Sequence, residues 1–311
     1  MMKTLKTTVL ASGFWRLKAP RWHLGALWVS DVPAGKVFRI DLDGKVTIVA
    51  DVPSRPFGLG FLPDGDLLVA SMTQRLILKF GAEKPAIHAD LTDAASGYLG
   101  DLAVARDGKA YVTCFDADAS GPDCIASARV LLATRDGNIR LVADNIAHPN
   151  GLVVTSAHDL LVAETLGNRL LAFKIDDDGT LLHRKVFANF EGLSPLGVCE
   201  DSEGAVWAAA ARQSLFVRVQ QGRRITHRVH VPSRHAVACQ LGGQDGRTLF
   251  CLTVAANPDD YPTVSRRPSS RRRRSTYREP QAPYVSRKLA RISVPGWLGQ
   301  SSPDRSAEGK R

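Results

Sequence analysis

The sequence lacks the features that would place a chain in a membrane or build it around disulfides. No apolar run reaches the roughly 18 residues that a membrane span needs. The start of the chain has lysines but only a short apolar stretch, so we interpret it as a first strand and not as a signal peptide. The five cysteines are an odd number without a Cys-x-x-Cys pair, which argues against a disulfide framework and a zinc ribbon. We therefore expect a protein of the reducing cytoplasm that does not contact membranes.

Long amphipathic helices are also missing, and a strand–turn–strand unit recurs in their place. Each copy has an apolar strand, a polar turn that is usually Asp-Gly, and a second apolar strand, which is the pattern of a β-hairpin. A degenerate copy, APRWHLGALWVSD, opens the chain, and five further copies follow it: FGLGFLPDGDLLVAS, GDLAVARDGKAYVTC, NGLVVTSAHDLLVAE, LGVCEDSEGAVWAAA and ACQLGGQDGRTLFCLT. Further hairpin signals, such as GKVFRIDLDGKVTIVAD, lie between the copies.

Four strands per unit at a period of roughly 45 residues are typical of a β-propeller blade. Six units predict an all-β fold, a six-bladed β-propeller that forms a single domain over residues 1–298. Because a single blade cannot bury both faces, the blades must stack around an axis. We expect the N-terminal strand to complete the last blade near Arg287–Pro295, and residues 299–311 to form a flexible tail.

The positive charge of the chain is concentrated in one segment. The net charge is +10, and residues 265–280 alone contain seven arginines together with frequent serine and proline. This composition predicts an exposed, disordered insertion that binds polyanions weakly. No aromatic platform or DNA-binding helix accompanies it, so we do not expect a nucleic-acid partner. The partner that we expect is a small molecule.

Placing the repeats in register predicts which residues line one mouth of the central channel. The innermost strands begin at Ala19, Phe57, Gly100, Asn150, Leu196 and Ala238, and Asn150 alone among them is polar. Such a mouth, mostly apolar with a few polar groups, is typical of small-molecule sites. We predict Asp101 and Glu164 as catalytic residues. The predicted substrate-binding residues are Asn150, Phe57, Tyr98, Leu196, Trp22 and Asp31.

Each polar candidate also has a purely structural interpretation. Asn150 precedes a glycine, as turn residues often do. Asp31 and Glu164 end strands, where carboxylates commonly accept hydrogen bonds from backbone amides, and Asp101 could brace a loop in the same way. Cys239, close to His235, would be a thiol nucleophile only if it were not buried, and it lies in the apolar run AVACQL.

Several motifs resemble the regucalcin/gluconolactonase/luciferin-regenerating-enzyme family. They are RPFGLGFLPDGDLLVASM, HPNGLVV followed by VAETLGNRLLAF, GQDGRTLF, and the opening APRWHLGALWVSD. The resemblance implies a six-bladed propeller that hydrolyses lactones or related esters with a divalent cation in the channel mouth. It makes Asn150 the counterpart of a metal-ligating asparagine. Asp101 becomes the counterpart of the aspartate in the family's Asn-Asp pair.

Three other positions depart from the family's pattern. A glutamate ligand corresponds to Ala19, the asparagine of the Asn-Asp pair to Gly100, and an aspartate ligand to Leu196. Calcium prefers six to eight oxygen ligands, several of them anionic. We therefore predict no cofactor, and calcium would need a site rebuilt from Asp101, Asp31 and Glu164.

Three functions stay open on this evidence. The first is a lactone or ester hydrolase with an atypical or lost metal site. The second is a metal-independent lyase, isomerase or cyclase for an apolar metabolite, in which Asp101 or Glu164 shuttles a proton and Asn150 orients a carbonyl. The third is a pseudoenzyme that binds a ligand without turnover.

Overall fold

The repeated hairpins fold into the inner strands of successive four-stranded sheets. The computed structural model describes residues 7–82, 84–115, 127–190, 192–222, 225–255 and 287–293. The first twelve strands are β1 (Thr8–Phe14), β2 (Leu17–His23), β3 (Ala26–Asp31), β4 (Lys36–Ile40), β5 (Val46–Asp51), β6 (Pro56–Phe61), β7 (Leu67–Ser71), β8 (Leu76–Phe80), β9 (Ala86–Asp90), β10 (Leu99–Val104), β11 (Ala110–Phe115) and β12 (Ser127–Ala133). The other twelve are β13 (Ile139–Ala147), β14 (Pro149–Val154), β15 (Asp159–Glu164), β16 (Arg169–Ile175), β17 (Leu181–Asn189), β18 (Pro195–Glu200), β19 (Val206–Ala210), β20 (Leu215–Val219), β21 (Ile225–His230), β22 (Arg234–Gly242), β23 (Thr248–Ala255) and β24 (Arg287–Ser293).

These strands pair into six antiparallel sheets of four strands within the described residues. Blades 1 to 5 are β2–β5, β6–β9, β10–β13, β14–β17 and β18–β21, and blade 6 has the order β22-β23-β24-β1. In blade 6 the N-terminal strand pairs with β24, Thr8 opposite Arg291, so the predicted closure of the last blade by the chain start is confirmed. The innermost strands lie side by side from β2 to β22, and β22 returns to β2. The predicted all-β propeller is confirmed.

The Asp-Gly turns form because their residues suit the backbone that the hairpin requires. In blade 2, the amide of Leu62 donates to the carbonyl of Asp66 over 2.8 Å, and the amide of Gly65 donates to the carbonyl of Leu62 over 2.9 Å. Gly65 has a φ of +93°, which glycine adopts without steric cost. The carboxylate of Asp64 accepts a hydrogen bond from the amide of Asp66. The turn thus fixes the register of both strands.

The core lies between the blades, in clusters that each combine residues of two neighbouring blades. One cluster joins blades 5 and 6 through Leu196, Trp207 and Cys239, and another joins blades 6 and 1 through Phe250 and Leu27, which closes the ring. Because each sheet buries its faces only against its neighbours, no blade has a hydrophobic core of its own.

Some predictions fall on residues that lie outside the described ranges. These are the arginine-rich segment at 265–280, the tail at 299–311 and Cys124, so the domain boundary at residue 298 stays a prediction. Within the described ranges no helix is both long and apolar enough to cross a membrane.

Candidate functional site

The hydrogen-bond register of the inner hairpins decides which residues lie level at the channel mouth. Pro149 pairs with Glu164 and Leu17 pairs with Asp31, each at the start of an innermost strand. The residues that follow Pro149 and Leu17 therefore lie at the same height along the channel axis, and we call such a residue the level residue of its blade. In blade 1 it is Lys18, and not Ala19, that corresponds to Asn150. The sequence alignment of the first copy is therefore wrong by one residue.

A backbone irregularity explains the error. The pairing of β2 with β3 shifts register between Lys18 and Arg21, and Ala19 lies in this shift with a φ of +45°. The last copy has a similar shift between Ala236 and Ala238. A Cβ added at Gly197 would meet Ala238, just as one added at Gly151 would meet Gly197, so Ala238 is the counterpart of these glycines and Val237 is level with Asn150 in blade 6.

The sequence does contain a signal that identifies Lys18. In blades 2, 4 and 5 the level residue stands between a proline and a glycine, as in Pro149-Asn150-Gly151. Gly151 lies so close to blade 5 that an added Cβ would stand 2.7 Å from the carbonyl oxygen of Leu196. In these three blades a small residue therefore follows the level position, and Ala19 follows Lys18 in the same way, whereas Asp101 follows Gly100 in blade 3.

A small cavity on the axis lies at this level. Its volume is about 10 Å³, which is room for about one water molecule. All six blades contribute to its lining, which consists of Lys18, Ala19, Pro20, Arg21, Phe57, Asp101, Asn150, Gly197, Val198, Val237 and Ala238. Two of the predicted substrate-binding residues, Asn150 and Phe57, therefore line one cavity together with Asp101.

Asp101 is held by three hydrogen-bond donors. Its Oδ1 accepts from Nη2 of Arg21 at 2.8 Å and from the amide of Leu102 at 2.9 Å, while Oδ2 accepts from the amide of Leu152 at 3.0 Å. Asp101 is only 5% exposed, and Arg21 reaches it from blade 1 across the axis. Both carboxylate oxygens are thus engaged. We infer that Asp101 braces blades 1, 3 and 4 instead of acting as a free base.

Asn150 lies in strand β14 and does not serve a turn. Its side chain is half-buried against the cavity, and its amide has no hydrogen-bond partner among the described residues. A side-chain amide that is pointed at a cavity without a partner is available to a ligand, because an amide both donates and accepts hydrogen bonds.

Lys18 is the feature of the site that sequence reasoning missed. Its ammonium lies 5.4 Å from the centre of the Phe57 ring and forms no ion pair within the described part of the chain. Burial is the main cause that lowers the pKa of Lys18, to about 8, and the positive charge of Arg16 lowers it further. The charge of Asp101 acts in the opposite direction.

His148 lies within electrostatic reach of Lys18. Burial lowers the pKa of its imidazole, and the positive charge of Lys18 lowers it further, so His148 is neutral at pH 7. Its ring centroid stands 5.1 Å from that of Phe115.

The other predicted carboxylates serve the corners of the blades. Asp31 accepts hydrogen bonds from the amides of Trp15 at 2.6 Å and Arg16 at 2.8 Å. Glu164 accepts from the amide of Ala147 at 2.8 Å and pairs with Arg169. Neither carboxylate lines the cavity, so their contacts favour the structural interpretation.

The other predicted substrate-binding residues with apolar or aromatic side chains do not lie together at the cavity. Trp22 stacks on Phe250 at 5.3 Å between blades 1 and 6, and Leu196 is buried in the cluster between blades 5 and 6. Tyr98 is 54% exposed and does not line the cavity. Burial raises the pKa of the Cys239 thiol well above its usual value, and its Sγ lies 4.0 Å from that of Cys199. This thiol does not suit nucleophilic catalysis.

The donor set of the mouth does not fit a divalent cation. Leu196 is apolar, Lys18 brings a positive charge, and both oxygens of Asp101 already accept hydrogen bonds. No group of three or more His, Cys, Asp or Glu side chains suited to a metal occurs among the described residues. A calcium ion would meet one neutral amide, that of Asn150, and a repelling ammonium.

Comparison with known proteins agrees with the propeller fold. Residues 18–255 match the SMP-30/gluconolactonase/LRE-like region. The chain belongs to this family. It is 22% identical to 6-deoxy-6-sulfogluconolactonase from Pseudomonas putida over 250 residues, which cover 77% of this chain and 84% of that protein.

Solved structures of this family share the fold at low identity. A luciferin-regenerating enzyme superposes with a TM-score of 0.76 at 15% identity, covering 96% of this chain and 98% of that one. A gluconolactonase from Xanthomonas campestris gives a TM-score of 0.69 at 23% identity, covering 82% of this chain and 88% of that one.

Proposed function

We propose that this family member is a lactonase-type hydrolase that acts at the channel mouth without a divalent cation. The observation that carries the proposal is the unpartnered amide of Asn150 in the axial cavity of a gluconolactonase-like propeller. The relative from Pseudomonas putida and the structural neighbour from Xanthomonas campestris are both named as lactonases, which supports the reaction class.

The size of the cavity limits how a substrate sits. A volume of about 10 Å³ admits one water or one carbonyl oxygen, so the ring of a lactone must lie over the mouth. The amide of Asn150 donates a hydrogen bond to the carbonyl oxygen and favours the negative charge that develops there during attack by water. Phe57 offers an apolar surface for the ring.

The proposed base is His148, which precedes strand β14 by one residue and Asn150 by two and is not itself part of the cavity lining. Ester hydrolysis needs a group that accepts a proton from the attacking water and returns it to the ring oxygen when the acyl C–O bond of the lactone breaks, and an imidazole that is neutral at pH 7 can do both. His148 meets this condition because burial and the Lys18 charge lower its pKa. Asp101 holds Arg21 in place and is a positioning residue, since both of its oxygens are engaged.

A panel of lactones, followed with a pH indicator, tests the proposal. We expect hydrolysis of at least one five- or six-membered lactone, no stoichiometric metal by mass spectrometry, and an unchanged rate after dialysis against EDTA. His148→Gln should lower kcat while leaving the melting temperature within a few degrees. Loss of activity in EDTA with recovery in calcium would contradict the metal-independent route.

Non-catalytic binding is the second candidate, and the engagement of Asp101 favours it. Among the described residues Asp101 is the one carboxylate of the lining, and it already accepts three hydrogen bonds. Such a cavity, which holds about one water, resembles a binding site more than an acid–base site. Ligand-induced stabilisation without turnover of any lactone would support this candidate. The lyase, isomerase or cyclase alternative needs a free carboxylate, and neither Asp101 nor Glu164 supplies one.

A further inference from the structure

Lys18 is a cation at the channel mouth without an anion to balance it. Half-buried lysines normally pair with a carboxylate, since removing an ammonium from water is costly. Within the described residues Lys18 has no such partner, and its nearest recorded contact is the face of the Phe57 ring. The cost of its burial is visible in the pKa, which falls to about 8.

The neighbouring charges do not balance Lys18. Arg21 is positive, and its charge is matched by that of Asp101, with which it forms the 2.8 Å ion pair. Arg16 adds a further positive charge, which the buried carboxylate of Asp31 beside the Arg16 amide offsets, and His148 is neutral at pH 7. The mouth therefore carries an excess of positive charge, which favours an anionic ligand.

The two unpartnered groups of the cavity complement one oxyanion. Lys18 and Asn150 are level on the axis, and both line the cavity. An ammonium offers three donors and a side-chain amide offers two, so together they can hold the oxygens of a carboxylate. A neutral ligand would leave the ammonium unbalanced.

We propose that the channel mouth recognises ligands bearing a carboxylate, held by the Lys18 ammonium and the Asn150 amide. In terms of the proposed function, on which this step rests, the substrates are acidic lactones whose carboxylate lies beside the ester carbonyl. Lys18 is then the residue that determines specificity.

Isothermal titration with sodium gluconate, and with sorbitol as the uncharged polyol of similar size, tests the proposal. We expect gluconate to bind and sorbitol not to bind. Lys18→Met should weaken gluconate binding about tenfold to hundredfold, the range of a charge-assisted hydrogen bond. The matched control is Lys36→Met, which removes a lysine of the same blade that pairs with Asp51 at 2.8 Å on its outer strands. This control should bind gluconate like the unmodified protein.

The pH dependence supplies a second readout. Because the ammonium is needed, affinity should fall about tenfold per pH unit above pH 8. Lys18→Arg keeps the positive charge at all these pH values, so it should retain binding and lose this dependence. Guanidinium groups do not titrate in this range, and His148 is already neutral below it, so the slope reports on Lys18.

Three results would overturn the proposal: absence of gluconate binding, equal binding of sorbitol, or unchanged affinity in Lys18→Met. If Lys18→Met does not fold, as judged by circular dichroism, Lys18→Arg and the pH profile decide alone. Turnover is scored separately. Hydrolysis of neutral lactones without gluconate binding would refute this inference and leave the proposed function standing. Gluconate binding through Lys18 without hydrolysis of any lactone would do the reverse.

Discussion

Asp101 and Glu164 are both almost completely buried carboxylates at the inner part of a blade, yet they lie in different surroundings. Asp101 lines the axial cavity and binds Arg21 across the channel together with two backbone amides. Glu164 lies at the corner of blade 4, where it binds one backbone amide and Arg169. We call Asp31 and Glu164, together with the backbone amides that donate hydrogen bonds to them, the blade corners. The channel mouth is thus stabilised by contacts between blades, whereas the blade corners are stabilised by contacts between residues close in sequence.

This difference teaches that burial of a carboxylate does not by itself indicate catalysis. Both carboxylates meet the sequence criteria for an acid or base, and both turn out to be fully engaged. The groups that remain available are Asn150 and Lys18, one neutral and one positive. The mouth therefore differs from the corners in having polar side chains without hydrogen-bond partners among the described residues, and not in how deeply its side chains are buried.

The largest expected effect is the creation of a metal site at the mouth. Lys18→Glu with Leu196→Asp places two carboxylates level with Asn150, and calcium affinity should rise from undetectable to a Kd of about 10⁻⁴–10⁻³ M by calorimetry. The matched control is Ala19→Glu with Leu196→Asp, which follows the sequence alignment and should gain much less. Equal gains in both would mean that the register of blade 1 is not as described.

Asp101→Asn should be the most destabilising single change in the mouth. It removes the partner of a guanidinium that is only 17% exposed, and such losses cost about 3 kcal/mol of the free energy of unfolding. Urea denaturation measures this. Adding Arg21→Met should recover part of the loss, since no unpaired charge then remains. A double variant no more stable than Asp101→Asn would argue against coupling across the axis.

Glu164→Gln should affect stability and spare the mouth. The amide keeps one acceptor for Ala147 but loses its charge beside Arg169, so we expect a loss of about 1–2 kcal/mol in the same assay. Asp31→Asn, at the corner of blade 1, serves as a parallel case. A selective loss of lactone hydrolysis in Glu164→Gln, at unchanged stability, would place Glu164 in the site after all.

Lys18→Met should stabilise the protein slightly at pH 7, by about 1 kcal/mol, because it removes a desolvated charge without a partner. The pKa of Lys18 is about 8 in the folded state and 10.5 in its ordinary state. Between these values the unfolded chain binds more protons, so Lys18 makes stability rise with pH from 8 to 10.5. Thermal unfolding over this range should show the rise in the unmodified protein and a smaller one in the variant; identical profiles would contradict this account.

Asn150→Ala should have the smallest effect on stability, within about 0.5 kcal/mol, since its amide has no partner to lose. Its effect should appear in kcat/KM for lactones and in gluconate affinity. The comparison with Asp101→Asn tests the account of the mouth, because Asn150 is expected to bind the ligand whereas Asp101 is expected to stabilise the fold. A loss of stability in Asn150→Ala comparable to that of Asp101→Asn would remove this distinction.

Much of the fold can be predicted from local patterns. The hairpin turn at Asp64-Gly65 depends on residues adjacent in sequence, and the recurrence of such turns predicts the inner strands of each blade. The pairing of the N-terminal strand near Arg287 also follows, because an unpaired final blade would leave an open edge. The candidate site is less predictable, since Lys18 and Asn150 come from blades 1 and 4, far apart in sequence, and only the closed ring makes them line one cavity.

The sequence by itself determined the propeller, the position of Asn150 at a strand start, and the apolar residue Leu196 at the start of another innermost strand, since each depends on a local motif. Only the tertiary structure decided that Lys18 is level with Asn150 and that Arg21 forms an ion pair with Asp101. It also decided that Asp31 and Glu164 accept hydrogen bonds at the blade corners. The physical reason is that a one-residue shift between Lys18 and Arg21 changes which side chain faces the axis. Two of the hydrogen-bond donors to Asp101 likewise come from blades 1 and 4, and they are in reach only because the closed ring brings these blades together.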